Sequence, residues 1–174
     1  MLRSILKTLW MGATMALGFN SPSHATPLEI GAPAPAAEAL DQNAQTVDLA
    51  EATRSGYTLV YFYPKADTPG CTKQACSLRD AFAQLTQRGV KVFGVSHDSV
   101  KAQKAFQEKY KLPFTLLADT EHAVSKAFGV PSRLNFAARQ AFLFKDGKLV
   151  WRDLEASTAE QAADVLAVLD EMKP

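Results

Sequence analysis

Two apolar stretches, residues 57–63 (YTLVYFY) and 91–96 (KVFGVS), are the clearest features of the hydrophobic pattern. Neither alternates apolar with polar positions, and both contain aromatic and β-branched residues, which is typical of strands buried on both faces of a sheet. Pro64 ends the first of them. Weaker runs of the same kind predict further strands at residues 46–49, 114–117, 140–144 and 149–152. Asp146 and Gly147, between the last two, are a strong β-hairpin signal.

The segments between these strands have apolar residues at the spacing of helices. Four helices are predicted, over residues 70–89, 99–110, 121–128 and 159–171. Thr158 and Gln161 have the spacing of a capping box at the start of the last helix. Residues 26–37, rich in Pro and Ala, are predicted to be an extended lead-in. The order β-α-β-α-β-α-β-β-α predicts an α/β domain, a three-layer α/β/α sandwich with a mixed central sheet.

Composition narrows the class of protein. The chain has 174 residues, of which 47% are hydrophobic and 21% charged, which excludes a disordered, collagen-like or disulfide-framework chain. The net charge is +1, so we expect no nucleic-acid partner and no membrane surface held by bulk charge. Two cysteines are too few for a disulfide scaffold or a structural zinc site, and we expect neither a metal nor a cofactor.

The first 25 residues have the layout of a secretory signal peptide. Arg3 and Lys7 form a basic start, residues 9–19 are uncharged, and a Ser-His-Ala sequence ends at Ala25. The apolar run is shorter than the roughly 20 residues of a spanning helix, which weighs against the alternative of a retained membrane anchor. We expect cleavage after Ala25 and export to the periplasm, with membrane contact only during export.

Residues 26–174 form the predicted domain. Without the first 25 residues the chain keeps 17 basic and 18 acidic side chains, a net charge of −1. A domain of this size buries roughly 70% of the surface of its unfolded chain and needs no disulfide to fold. Both cysteines are therefore available for chemistry, and an oxidising compartment permits a disulfide between them. We expect a monomer or a weak homodimer.

The two cysteines occupy different faces of the predicted helix that begins at Gly70. At about 100° per residue, Cys71 lies in line with an apolar stripe, and Cys76 lies about 140° around the helix from Cys71 and off that stripe. The stripe consists of Ala75, Leu78, Phe82 and Leu85. We expect Cys71 to face the core in the first turn, where the positive end of the helix dipole favours the reactive thiolate.

The spacing of these cysteines conflicts with a disulfide inside a helix. Five residues apart in an ideal helix, the Cα atoms of Cys71 and Cys76 are separated by about 8.7 Å. Disulfides rarely join Cα atoms more than about 6.8 Å apart. A bond between the two sulfurs would therefore require this turn of the helix to unwind.

Residues 64–71 (PKADTPGC) resemble the peroxiredoxin signature Pro-x-x-x-Thr-x-x-Cys. The second cysteine, five residues further on, is similar to that of the peroxiredoxin Q or bacterioferritin comigratory protein subfamily. The resemblance covers most of residues 28–174 and includes VFGVSHDS, FTLLAD, AFGV and RQAFLF. It implies a thioredoxin-like fold and a thiol-dependent peroxidase acting on hydrogen peroxide and organic hydroperoxides.

The same resemblance implies roles for the two cysteines and for their partner. Cys71 would be the peroxidatic cysteine, which attacks a peroxide oxygen and becomes a sulfenic acid. Cys76 would be the resolving cysteine, which forms an intramolecular disulfide with Cys71. A thioredoxin-like donor or another thiol reductant would then reduce that disulfide, which makes the expected enzyme an atypical 2-Cys, thioredoxin-dependent peroxiredoxin.

Four further residues complete the expected site. Arg139 matches the family's active-site arginine and would supply a fixed positive charge. The Thr68 hydroxyl and the backbone N–H groups of Gly70 and Cys71 would bind the peroxide oxygens. Pro64, which also ends a strand, would shape the loop that shields the thiolate.

Three other functions compete with this interpretation. An exported thioredoxin-like thiol-disulfide oxidoreductase would use Cys-x-x-Cys, whereas the spacing here is Cys-x-x-x-x-Cys. A copper-binding assembly protein of the same fold would need cysteines four apart and a matching histidine motif. A non-catalytic binding module is the third alternative. His97 with Asp98 could suggest a base, but we interpret them as a polar turn and His122 as a solvent-side helix residue.

Overall fold

A computed structural model describes residues 26–172 of the chain. The predicted signal peptide, residues 1–25, lies outside the described residues. Of the helices between residues 26 and 172, each is too short or too polar to cross a membrane.

A seven-stranded mixed sheet forms the centre of the molecule. Its strands are β1 Glu38–Asp41, β2 Thr46–Asp48, β3 Tyr57–Phe62, β4 Val90–Ser96, β5 Thr115–Ala118, β8 Gln140–Lys145 and β9 Lys148–Asp153. They lie in the order β2-β1-β5-β4-β3-β8-β9 across the sheet. Strands β3, β4 and β5 are parallel, and the strands beside them are antiparallel. A separate two-stranded hairpin consists of β6 Ser132–Arg133 and β7 Phe136–Ala137.

Helices cover both faces of the sheet. They are α1 Leu49–Ala52, α2 Pro69–Asp80, α3 Phe82–Gln87, α4 Val100–Tyr110, α5 Ala123–Phe128 and α6 Gln161–Glu171. Successive side chains of β3 point to opposite faces, so Leu59 and Tyr61 pack with α2, α3, α4 and α6, while Val60 and Phe62 pack with α1 and α5. The predicted three-layer sandwich with a mixed sheet is confirmed.

The predicted helix over residues 70–89 is interrupted. Helix α2 ends at Asp80 and α3 begins at Phe82, with Ala81 at the cap position of both. The apolar stripe continues across the break, because Ala75, Leu78 and Leu85 are all fully buried.

The predicted capping box at Thr158 is wrong. Ser157 Oγ accepts hydrogen bonds from the backbone N–H groups of Ala159 and Glu160, at 3.2 and 3.0 Å, and α6 begins only at Gln161. The Gln161 side chain is turned into the core and cannot reach back to the helix start. Strand β1, helix α1 and the hairpin β6–β7 were not predicted from the hydrophobic pattern.

Candidate functional site

The candidate site lies where β3 ends and α2 begins, at the carboxyl edge of the parallel strands. Thr68 is the N-cap residue of α2 and Pro69 occupies the first helical position, where a missing N–H costs no hydrogen bond. Cys71 follows in the first turn and is buried, with 2% of its surface exposed. Cys76 is half-buried, and both thiols are free. Cys71 thus faces the core, as expected, whereas Cys76 is partly exposed.

Arg139 brings a positive charge to the buried thiol. It immediately precedes β8, whose Gln140 pairs with Phe62 at the end of β3, so the arginine emerges beside the start of the loop. Its Nη2 atom donates to Cys71 Sγ at 3.5 Å. A Cβ atom at Gly70 would lie 3.3 Å from this Nη2 atom and 3.5 Å from Thr158 Cγ2, so a glycine here leaves the guanidinium room to approach.

Pro64 and Thr68 lie at opposite ends of the loop between β3 and α2. The Thr68 hydroxyl donates to the backbone carbonyl of Lys65 at 2.9 Å, so its proton is directed into the loop and its lone pairs remain available as acceptors. Pro64 is half-buried and begins the loop directly after Tyr63, whose N–H donates to Val95 O at 3.1 Å. The sequence correctly places these residues at one end of the sheet.

Two carboxylates hold the loop in place. Asp98, after β4, accepts a hydrogen bond from the backbone N–H of Ala66 at 2.8 Å and another from Ser96 Oγ at 2.7 Å. Asp67 has a left-handed backbone, with φ of 56°, and accepts hydrogen bonds from Lys109 and Tyr110 at the end of α4. These two hydrogen bonds, first that of Lys109, lower the pKa of Asp67. The loop is therefore tied to both β4 and α4.

A buried pair of glutamines was missed by the sequence analysis. Gln74 is fully buried in α2, where its Oε1 atom accepts from Arg139 Nη1 and its Nε2 atom donates to Gln161 Oε1. Gln161, at the start of α6, is also fully buried. Gln74 thus holds the second nitrogen of the guanidinium whose first nitrogen faces Cys71. A polar residue within a helix normally indicates solvent exposure, so the pattern alone carried no signal for it.

Two tyrosines form the uncharged core side of the site. Tyr61 and Tyr63 share the core cluster of Cys71, and their rings stack with centroids 5.6 Å apart. Burial raises the pKa of both hydroxyl groups well above the ordinary value. The Tyr63 hydroxyl donates to Gln103 on α4. Both phenols therefore stay protonated and uncharged, and Arg139 supplies the positive charge of the site.

His97 and Asp98 form a bend between β4 and α4, in agreement with the predicted polar turn, and His122 is half-buried at the N-cap of α5. His97 is buried, and its ring stacks on His122 with centroids 3.8 Å apart. The His97 ring bonds Asn135 O at 3.1 Å and Ser125 Oγ at 2.8 Å, while His122 bonds Asn135 Oδ1 at 2.6 Å. Burial lowers the pKa of His97. The pair joins α5 to the hairpin β6–β7 and takes no part in the cysteine site.

A copper or zinc site receives no support from the donor residues. Within residues 26–172, no three side chains of His, Cys, Asp or Glu are grouped closely enough to hold a metal ion. The arrangement at Cys71 instead combines a buried thiol, a helix start and a guanidinium, which suits a nucleophilic sulfur.

Sequence comparison connects this arrangement to a known family. Residues 30–152 match the model of the AhpC/TSA family. A chloroplastic peroxiredoxin Q of Sedum lineare is 49% identical over 94 residues, which are 54% of this chain and 50% of that protein. A bcp peroxiredoxin of Haemophilus influenzae is 46% identical over 113 residues, which are 65% of this chain and 72% of that protein. The chain spans about half the length of most curated relatives that it matches.

Structural comparison agrees with the sequence. The Xanthomonas campestris bacterioferritin comigratory protein, described for its alkyl peroxide reduction activity, superposes with a TM-score of 0.75 and 28% identity. The match covers 83% of this chain and 96% of that one. A buried cysteine opening a helix, the sheet order and the matched residues all lead to the same assignment: the chain belongs to the AhpC/TSA family, among the peroxiredoxins of the Q and bcp type.

Proposed function

We propose that the protein is a thiol-dependent peroxidase that reduces hydrogen peroxide and organic hydroperoxides. The observation that carries the proposal is the position of Cys71, buried in the first turn of α2 with Arg139 Nη2 3.5 Å from its sulfur. A guanidinium stays charged at all working pH values and favours a negative sulfur, the nucleophile that a peroxide requires. Membership of the peroxiredoxin family supports the same chemistry.

In the proposed reaction the Cys71 thiolate attacks one peroxide oxygen. An S–O bond forms as the O–O bond breaks, Cys71 is oxidised to a sulfenic acid, and the other oxygen takes up a proton and leaves as water or an alcohol. The Thr68 hydroxyl accepts a hydrogen bond from the peroxide, and the free N–H groups of Gly70 and Cys71 at the helix start bind its oxygens. Arg139 stabilises the charge that develops on the leaving oxygen, and Pro64 keeps water from the thiolate.

In the second step Cys76 resolves the sulfenic acid. Its thiol attacks the Cys71 sulfur, a disulfide forms, and the hydroxyl of the sulfenic acid leaves as water. Both cysteines lie in α2, so the first turns of that helix must unwind before the sulfurs can meet. A thioredoxin-like dithiol or another thiol reductant then supplies two electrons and restores both thiols.

We propose that the protein carries out this cycle outside the cytoplasm. The basic and apolar segment before Thr26 has the pattern of an export signal, and the domain that follows would act in the periplasm as a monomer or weak homodimer. A reductant on the same side of the membrane is then required.

A peroxide-consumption assay with an excess of reduced dithiol tests the proposal. The wild-type domain should consume peroxide catalytically, and Cys71→Ser should be inactive. In a parallel measurement without dithiol, Cys76→Ser should react once and stop at a sulfenic acid that over-oxidises in excess peroxide. Insulin-disulfide reduction is measured in parallel, because it is the activity of the alternative, an exported thioredoxin-like oxidoreductase. Insulin reduction without peroxide consumption would overturn the proposal.

A further inference from the structure

The buried glutamine pair links the cysteine helix to the last helix of the fold. Gln74 and Gln161 lie 87 positions apart, and each is fully buried. Burying an amide is unfavourable unless its donors and acceptors are paired. Gln74 satisfies this requirement with one partner on each side, Arg139 at its oxygen and Gln161 at its nitrogen. Its amide orientation is therefore fixed by contacts from two other parts of the chain.

Gln74 also lies between the two cysteines, in the segment that must unwind for a disulfide to form. Unwinding the turns that carry Cys71 and Cys76 withdraws Gln74 from Gln161 and returns its amide to water. A second, weaker link across the same interface, from Ala162 N to Ser77 Oγ at 3.3 Å, joins the start of α6 to the next turn of α2. The folded form of α2 is thus held by Gln161 through a hydrogen bond to Gln74 and not to either cysteine.

We propose that Gln161 is a positioning residue which, acting through Gln74, sets how long α2 stays folded after Cys71 is oxidised. The inference rests on the proposed peroxidase function. A folded α2 keeps the sulfenic acid beside Arg139, where a second peroxide can oxidise it to a sulfinic acid. An unwound α2 lets Cys76 reach it. The hydrogen bond from Gln74 to Gln161 therefore governs the partition between resolution and over-oxidation.

The direction of the effect follows from the state in which the hydrogen bond is lost. In Gln161→Leu the buried Nε2 atom of Gln74 has no acceptor while α2 is folded, but it is hydrated once α2 unwinds. The wild type already buries one amide nitrogen without a partner among the described residues, Gln161 Nε2, and this variant removes it. The net change is therefore the loss of one hydrogen bond, which shifts such an equilibrium by about fivefold. Disulfide formation after oxidation should become about fivefold faster, and the peroxide concentration that half-inactivates Cys71 should rise by a similar factor. The first reaction with peroxide should stay close to the wild-type rate, because Arg139 keeps its contact with Gln74.

Two control variants separate this role from general destabilisation of α6. Leu169→Val removes one buried methylene from the same helix, two turns beyond Gln161, and leaves the hydrogen bond intact. Gln161→Glu retains an oxygen that can accept from Gln74. Disulfide formation should be unchanged in Leu169→Val and should return towards the wild-type rate in Gln161→Glu. It is measured by single-turnover oxidation, acid quench, alkylation and mass spectrometry.

Hydrogen exchange on the reduced proteins makes the inference independent of catalysis. Gln161→Leu should lose protection of the α2 amides in residues 71–80 by about fivefold, while Leu169→Val should not. Unchanged protection in Gln161→Leu, or an equal loss in both variants, would overturn the inference even if the protein is a peroxidase. If Gln161→Leu loses protection but Cys71 of the wild type does not react with peroxide, the proposed function is overturned. The role of the Gln74–Gln161 hydrogen bond in keeping α2 folded would still be supported.

Discussion

Replacing Arg139 by methionine tests the electrostatic basis of the proposed site. The guanidinium nitrogen Nη2 lies 3.5 Å from Cys71 Sγ. At that distance two unit charges attract each other by about 1.2 kcal/mol in bulk water and by about 4.7 kcal/mol at an effective dielectric constant of about 20. The thiol is buried but Arg139 is half-buried, so the attraction lies between these limits, at about 2 to 3 kcal/mol. If Arg139→Met loses this attraction in the transition state, the reaction of Cys71 with peroxide should become about 30- to 160-fold slower.

The assay is the second-order rate constant of the reduced domain with hydrogen peroxide, measured by stopped flow under single-turnover conditions. Alkylation of Cys71 by iodoacetamide at neutral pH is the second readout, because it reports the negative sulfur without a leaving oxygen. Arg139→Lys keeps the charge but loses the planar fork shared between Cys71 and Gln74, and should lie between wild type and Arg139→Met. Arg54→Met is the control for a change in net charge, since Arg54 is exposed and pairs with Glu51 at 2.6 Å.

The two readouts separate two contributions of the arginine. Equal losses in peroxide reaction and alkylation mean that Arg139 acts on the sulfur alone. A larger loss in the peroxide reaction means that it also stabilises the leaving oxygen. A wild-type rate in Arg139→Met for both reactions would refute the reasoning and remove this residue from the site.

Three further predictions follow from the cysteine helix, the N-terminal segment and the histidine pair. Stoichiometric peroxide should produce an intramolecular disulfide between Cys71 and Cys76 and loss of hydrogen-exchange protection over residues 71–80, seen by non-reducing mass spectrometry; a covalent dimer would contradict it. Mature protein purified from its native host should begin near Thr26 by N-terminal sequencing, whereas an intact first methionine in soluble cytosolic protein would contradict export. The pKa of His97 is lowered by burial, so the unfolded chain binds a proton that the folded chain does not, and stability should fall as pH decreases below about 6.5. Urea unfolding between about pH 5 and 7 should show a smaller loss in His97→Gln than in wild type, and parallel curves would contradict this explanation.

The elements that could be predicted from the sequence are those with a strong local signal. Strand β3 follows from an uninterrupted aromatic and β-branched run, and its burial matches that expectation. The orientation of Cys71 followed from counting residues around one helix, because the apolar stripe fixes which face is inside. Arg139 was identified through the resemblance of its strand, and the structure brings it to the cysteine.

The elements that were missed depend on partners distant in the sequence. Gln74 has the residue type of a solvated helix position, and its burial is compensated by Arg139 and Gln161, 65 and 87 positions away. His97 is likewise buried because Ser125 and Asn135 supply its hydrogen bonds. The hairpin β6–β7 turns through Leu134 and Asn135, both with positive φ, without the glycine that usually signals such a turn.

In the proposed cycle, the interruption of the helix at Ala81 would limit how far the oxidised protein has to unwind. Helix α3 is a separate element with its own anchors: Leu85 is fully buried, and Arg88, which follows it, pairs with Asp170 at 2.5 Å. Melting of α2 can therefore stop at Ala81 without drawing α3 out of the core. The disulfide would then lie in a short extended segment, the unwound α2, whose two ends stay attached to an otherwise intact domain. This segment could bend into the active site of a reducing partner, and it could refold into a helix once the disulfide has been reduced.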